Sequence, residues 1–308
     1  MEIMGMGKAL PTLEITNNYL SQIVDTNDEW ISSRTGIKTR FFASDEETNI
    51  SLASMAAKNA VANADIAISD IGICVVATFT PDNNTPSVAC MVAKELCLNE
   101  NTLCFDINAA CSGFVYALNI VNSMLKALPT AKYGLVIGSE VISRYMDMKD
   151  RNTCILFGDG AGAAIIKLNN DKICDFDFGT VPNDEVLYCK ATDRKLQMQG
   201  KEVFRFAVTY SAKSIENILD KNNLNVSDID FFVCHQANRR IIEALSKKLN
   251  IDLSKFYINL DKYGNTSAAS IPIALSEMFE EKLLKKDDKI ICVGFGGGLT
   301  YGSTLITI

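Results

Sequence analysis

The residues of this sequence best suited to chemistry are Cys111 in "NAACSGF", His235 in "CHQANRR" and Asn265 in "YGNTSAASIP". Cys111 stands where a strand-like run, "TLCFDIN", turns through Ala109, Ala110, Ser112 and Gly113 into a helical pattern. Free cysteine is among the most buried residue types, so packing is its ordinary role. At a helix start it has another role: the positive end of the helix favours a thiolate, and a thiolate is a nucleophile. Position alone leaves both readings open, because the chain has ten cysteines, at 74, 90, 97, 104, 111, 154, 174, 189, 234 and 292. No two show the Cys-x-x-Cys spacing of a zinc or dithiol site. Cys90, Cys97, Cys104 and Cys111 recur every seven residues, but the strand-like run between them interrupts any heptad helix. His235 is the only histidine, which removes multi-histidine metal centres. By itself it would be a packed residue beside a buried strand, and Asn265 by itself a turn residue.

Strands and helices in alternation must position these side chains. The runs "IGICVVATF", "TLCFDI", "YGLVIGSEV", "GAAIIKL", "IDFFVCHQ", "KFYINL", "KIICVGFG" and "STLITI" read as strands separated by helix-length segments. That pattern predicts an α/β fold with largely internal sheets. After Cys111, the residues Phe114, Leu118, Val121, Leu125 and Leu128 form one helical stripe, which Pro129 ends. The chain also resembles itself. "AISDIGICVVAT" (67–78) matches "NVSDIDFFVCHQ" (225–236), and "YGLVIGSEV" resembles "KIICVGFGG". A repeat of about half the chain predicts two similar halves packed pseudo-symmetrically. The polar "KLNNDK" marks the break, giving halves of residues 1–170, with Cys111, and 171–308, with His235 and Asn265.

Two glycine-rich segments invite a nucleotide reading and fail it. "FGDGAGAAIIKL" leads into a strand, and "GFGGGLTYGSTLITI" leaves no room for a crossover helix. Glycines there instead let backbone N–H groups approach a ligand, as an oxyanion hole requires. With 308 residues and 48% hydrophobic content, the chain can bury one large core or two ordinary ones. A net charge of -7 and a pI near 5.0 argue against nucleic acid as a partner. The start, "MEIMGMGKALP", lacks the pattern of a signal peptide, so reduced thiols and a cytoplasmic location are expected. Ile107 to Leu125 is uncharged and nearly long enough to span a bilayer. Its Asn108, Ser112, Asn119, Asn122 and Ser123 favour a buried core helix, and no membrane partner is expected.

Taken together, the three segments resemble the β-ketoacyl-[acyl-carrier-protein] synthase III family, the initiating condensing enzymes of bacterial fatty acid synthesis. The likeness runs through "TNNYL", "DTNDEWISSRTGIKTR", "DRNTCILFGDGAGAA", "GKEVF" and "FGGGLTYG", nearly the whole chain. It implies a thiolase-like fold of two duplicated halves in a five-layered αβαβα arrangement, normally a homodimer. It implies condensation of an acyl-CoA primer, acetyl-CoA first, with malonyl-acyl-carrier protein. Neither a metal nor a cofactor other than the coenzyme A thioester substrate is implied. At matching positions Cys111 would accept the acyl group. His235 and Asn265 would donate hydrogen bonds to the malonyl thioester oxygen, whose enolate needs two neutral donors once carbon dioxide leaves. The N–H groups of Cys111 and Gly297 match the oxyanion hole. Trp30 and Arg151 match the pair that sandwiches the adenine of coenzyme A, with Arg34 nearby; indole and guanidinium both stack on a purine. Arg205 matches a basic position used in carrier-protein docking. Arg240, Lys247 and Lys248 lie close together on the helix after His235 and would extend that patch for an acidic partner. Thr85 matches a loop residue that closes the partner subunit's acyl pocket, and Leu299 would share the pocket wall.

Other readings compete. A degradative thiolase would carry a second histidine at Asn265 and a cysteine in the last glycine loop; Cys292 lies too far before Gly296 for that. A hydroxymethylglutaryl-CoA synthase would need a glutamate where Phe79 stands. Condensing enzymes of secondary metabolism keep the same Cys-His-Asn set and stay open. A non-catalytic acyl-CoA-binding protein would have no need of all three residues.

Overall fold

The run Ile71–Ala77 is buried along its length, Ile73, Val75 and Ala77 into one core cluster and Ile71, Cys74 and Val76 into another. A strand covered on both faces needs no polar alternation, which is why the sequence there is continuously apolar. A computed structural model describes residues 1–308. The first half begins with β1 (Glu2–Ala9), then an antiparallel pair, β2 (Leu13–Thr16) and β3 (Thr39–Phe42), around α1 (Asn17–Leu20) and α2 (Asp28–Thr35). It continues through α3 (Asn49–Ala64), β4 (Ile71–Ala77), α4 (Val88–Leu96), β5 (Leu103–Ile107) and α5 (Gly113–Ala127). β6 (Tyr133–Glu140), α6 (Arg151–Cys154) and β7 (Gly160–Lys167) close it. The second half has β8 (Cys174–Asn183), β9 (Leu187–Cys189), β10 (Leu196–Met198), α7 (Gly200–Lys221), β11 (Phe231–Cys234) and α8 (Arg239–Leu249). It ends with α9 (Leu260–Tyr263), α10 (Ser270–Glu280), β12 (Lys289–Gly296) and β13 (Gly298–Thr307).

Two sheets organise the molecule, ordered β1-β7-β6-β4-β5 and β11-β12-β13-β8. The pairs β4–β5, β4–β6 and β11–β12 are parallel, and the others antiparallel. Helices α5 and α10 lie between the sheets and share one core cluster with both. Helices α3 and α4 cover the outer face of the first sheet, and α7 and α8 that of the second. The layers are therefore α, β, α, β, α. The repeated Ser-Asp-Ile forms a 3-10 turn before β4 and again before β11. The matched runs "YGLVIGSE" and "KIICVGFG" are β6 and β12. No helix is long and apolar enough to cross a membrane.

Two expectations need correction, and two strands are added. Leu128 is outside α5 and 37% exposed, because the helix closes at Ala127 ahead of Pro129. "KFYINL" is no strand but a single bridge, Phe232 to Phe256. There the side-chain amide of Gln236 bonds the Tyr257 carbonyl at 3.1 Å and the Asn259 N–H at 3.1 Å, taking the place of a ladder. Strands β1 and β8 were not anticipated. β1 carries Gly5 and Gly7, weak strand formers, but a Cβ on Gly7 would lie 2.3 Å from the Ala60 nitrogen of α3.

Candidate active site

Cys111 sits in the 3-10 turn Ala110–Ser112, which runs directly into α5. Ala110 has φ +45°, a left-handed conformation that turns the chain sharply from β5 to the helix. Gly296, the last residue of β12, packs on the cysteine so closely that a Cβ there would lie 2.8 Å from its nitrogen. Burial pushes the Cys111 thiol up to about 12; the Ser267 hydroxyl opposes this and buried Glu140 adds to it. Desolvation thus works against the thiolate that the helix N-terminus favours.

His235 follows β11, its N–H bonded to the Val293 carbonyl at 2.7 Å. Its Nδ1 lies 2.7 Å from Ser270 Oγ, which also accepts the Gln236 N–H at 3.3 Å. The serine keeps one proton to give; donated to Nδ1, it selects the Nε2–H tautomer of His235, whose donor is then directed away from Ser270. Burial pulls its pKa down to about 3, so the ring is neutral. Asn265 is tied through its backbone to Leu156 and Gly158 at 2.8 and 3.0 Å. Its Oδ1 accepts the Ser267 N–H at 2.9 Å, which fixes the carboxamide and leaves its NH2 to donate.

One cavity of about 1010 Å³ is lined by Cys111, His235 and Asn265 together, with Trp30 and Arg34 also on its wall. Arg151 lies over the Trp30 ring at 5.0 Å and Arg34 at 5.9 Å. Arg240 and Lys247 line the same cavity, as does Phe204, which the sequence reading missed. Lys248 and Arg205 are exposed outside it, Arg205 paired with Glu202 at 3.2 Å. A second cavity of about 470 Å³ also reaches Cys111 and is lined by Gly297, Phe79, Tyr116, Cys189, Leu196 and Ser267. Leu299 lines only the larger cavity, packed against Phe206, Phe295 and Tyr301, so it does not wall the smaller one. Thr85 is exposed and lines neither cavity of its own chain. The serines that hold the donors lay inside the quoted "NTSAAS", but only the fold shows what they bond.

Residues 105–182 match the family model for 3-oxoacyl-[acyl-carrier-protein (ACP)] synthase III, and residues 219–308 the model for its C-terminal part. A β-ketoacyl-[acyl-carrier-protein] synthase III of Clostridium botulinum is 51% identical over 322 residues, spanning 99% of this chain and 98% of the relative. The chain belongs to the β-ketoacyl-[acyl-carrier-protein] synthase III family. The solved synthase III of Aquifex aeolicus is 42% identical, with a TM-score of 0.96 over 100% of this chain and 99% of its own. The priming β-ketosynthase of the R1128 polyketide pathway is 31% identical, with a TM-score of 0.92 over 99% of this chain and 96% of its own. The five layers are thus the thiolase-like fold of the synthase III family.

Proposed function

We propose that this chain is an acyltransferase that starts fatty acid synthesis by joining an acyl-CoA primer to malonyl-acyl-carrier protein with loss of carbon dioxide. The observation that carries this is one cavity holding a thiol, a neutral imidazole and an oriented carboxamide. In the first half-reaction the Cys111 sulfur attacks the thioester carbonyl, and its proton leaves with coenzyme A as the free thiol. In the second, the malonyl C–C bond breaks and its electron pair forms an enolate. The enolate oxygen takes hydrogen bonds from His235 Nε2–H and the Asn265 NH2. The carbanion then attacks the acyl group on Cys111 and expels the thiolate. The N–H groups of Cys111 and Gly297 hold the oxyanion in both transfers. A neutral imidazole suits this step, since it donates without offering a charge that water or substrate must balance.

Coenzyme A would enter past Trp30. A purine between two flat groups needs about 3.5 Å on each face, so Arg151, now 5.0 Å from the indole, must swing outward. The acidic carrier protein would approach over the Arg240, Lys247 and Lys248 side of α8, with Arg205 nearby on α7. The same reading makes the protein a cytoplasmic homodimer, and β5, the edge strand of its sheet, is free to pair. The likeness to a priming β-ketosynthase keeps a second reading, primer condensation in polyketide synthesis. The test is condensation with malonyl-carrier protein across a panel of acyl-CoA primers, with intact mass of Cys111 read in parallel. Acetyl transfer followed by 3-oxoacyl product supports the proposal. Acyl-CoA binding without a mass shift on Cys111 would refute it, and product only with carrier proteins of polyketide systems would favour the second reading.

A further inference from the structure

Glu140 ends β6 and is wholly buried, yet the condensation described above gives it no part. Burial pushes its pKa up to about 8, and four groups lie within hydrogen-bond distance of its carboxyl: Thr80 Oγ1 at 2.5 Å, Thr78 Oγ1 at 3.2 Å, Ser267 Oγ at 3.2 Å and the Phe79 N–H at 3.3 Å. The threonine hydroxyls cannot turn away. Thr78 Oγ1 already accepts from Asn49 and the Thr80 N–H, and Thr80 Oγ1 from Asn49 and the Val141 N–H. Their single protons are therefore committed to Glu140. Glu140 anchors the Ser267 hydroxyl at 3.2 Å, and the same hydroxyl also faces the Cys111 sulfur across the smaller cavity.

Ser267 needs holding. It opens the 3-10 turn before α10 with φ +50°, a conformation that favours glycine. Its N–H is the group that fixes the Asn265 carboxamide. The turn also rests directly on β6, since a Cβ on Gly138 would come 2.2 Å from the Ala268 carbonyl. The matching strand of the other half does the matching work: Gly296 ends β12 as Glu140 ends β6, and it braces the turn that carries Cys111. Each half thus supports the reactive turn of the other at equivalent positions, one by close packing and the other by a carboxylate.

We propose that Glu140 is a positioning residue for decarboxylation: through the Ser267 hydroxyl it sets the turn whose N–H orients the Asn265 donor. This rests on the role given to Asn265 above. The consequence is unequal weight in the half-reactions: the Asn265 donor depends on this turn for its orientation, whereas Cys111 is braced by Gly296 of β12 and feels Glu140 and Ser267 only through the ionisation of its thiol. It also makes glutamine a tolerated substitute. A glutamine oxygen can take the two committed threonine protons while its NH2 donates to Ser267 Oγ, which is free to accept.

The test compares Glu140→Ala, Glu140→Gln, Ser267→Ala and Asn265→Ala, each assayed for acyl-enzyme on Cys111 and for carbon dioxide from malonyl-carrier protein. Glu140→Ala and Ser267→Ala should each slow decarboxylation roughly tenfold, the loss expected from one buried positioning hydrogen bond. Glu140→Ala should slow decarboxylation more than it slows acylation, and Glu140→Gln should restore decarboxylation to within about threefold of the parent. The double variant Glu140→Ala/Ser267→Ala should decarboxylate no more slowly than Ser267→Ala alone, because both act on one contact. Equal loss of both half-reactions in Glu140→Ala, or multiplying effects in the double variant, would overturn the proposal. Should Glu140→Ala not fold, parent-like decarboxylation in Ser267→Ala would overturn it equally. Asn265→Ala separates the two levels. If it decarboxylates normally, the role of Asn265 is wrong; if it fails while Glu140→Ala and Ser267→Ala do not, only the positioning role falls.

Discussion

The chain has a single histidine, so one label reports on the state of the site without assignment. With 15N-histidine incorporated, the two ring nitrogens of His235 are the only labelled imidazole signals. Burial holds its pKa near 3 against an ordinary value of 6.5. At about 1.4 kcal/mol per pH unit, that shift amounts to roughly 5 kcal/mol favouring the neutral ring. The sign follows from the unfolded chain, which binds the proton first. Above pH 6.5 the contribution to stability is complete, and it drains away as pH falls from 6.5 toward 3. Across pH 5 to 8 the wild-type signals should therefore stay fixed, in the pattern of a protonated Nε2 and a hydrogen-bonded, unprotonated Nδ1. Ser270→Ala removes the proton donated to Nδ1, worth about 1 kcal/mol net. The tautomer ratio should then shift about fivefold, with the two nitrogen signals moving toward each other and decarboxylation slowing several-fold. A titration midpoint near 6.5 in the wild type, or a protonated Nδ1, would refute both the burial argument and the assignment of the donor.

Other outcomes follow from distance and exposure. Gly296→Ala places a methyl 2.8 Å from the Cys111 nitrogen, so acyl-enzyme formation should collapse, with stability lowered by about 1–3 kcal/mol in thermal denaturation. Lys248→Glu should raise the Michaelis constant for malonyl-carrier protein and leave acyl-CoA kinetics alone, because Lys248 lies outside the cavity; Arg240→Glu, on the cavity wall, should affect both substrates. The split is read from steady-state kinetics at two salt concentrations, since exposed charge attraction is screened. Thr85→Phe should narrow the primer range toward short chains when profiled with acyl-CoAs of increasing length, and an unchanged profile would remove Thr85 from the acyl pocket.

The nucleophile corner was legible because a cysteine among small residues between a strand and a helix is a short-range pattern. So was the duplication, since Ser-Asp-Ile before an apolar strand recurs as a turn and strand in both halves. The fate of "KFYINL" was not, because apolar alternation cannot reveal that Gln236, twenty-one residues earlier, occupies the bonds of a neighbouring strand. The burial that opposes a Cys111 thiolate was equally hidden. A helix start can be seen in sequence, whereas the depth at which the sulfur is buried depends on β12, far along the chain. Nothing in the sequence singled out Glu140; its partners come from residues 78–80 and 267. Leu299 lines the larger cavity with Cys111, and its packing on Phe206 and Tyr301 could not be read from its neighbours in sequence.

Helices α5 and α10 occupy the middle layer, with a sheet on either side. The buried faces of both helices, Phe114 to Val121 of α5 and Ile271 to Met278 of α10, meet water only when a sheet lifts away. Exchange of the amides on those faces with deuterium should accordingly require opening of the entire molecule, at the rate of global unfolding, while α3 and α8 on the outside exchange through smaller excursions. Cys111, in the turn that opens α5, should then lose its place beside His235 and Asn265 to heat in a single step, together with the core the two sheets share.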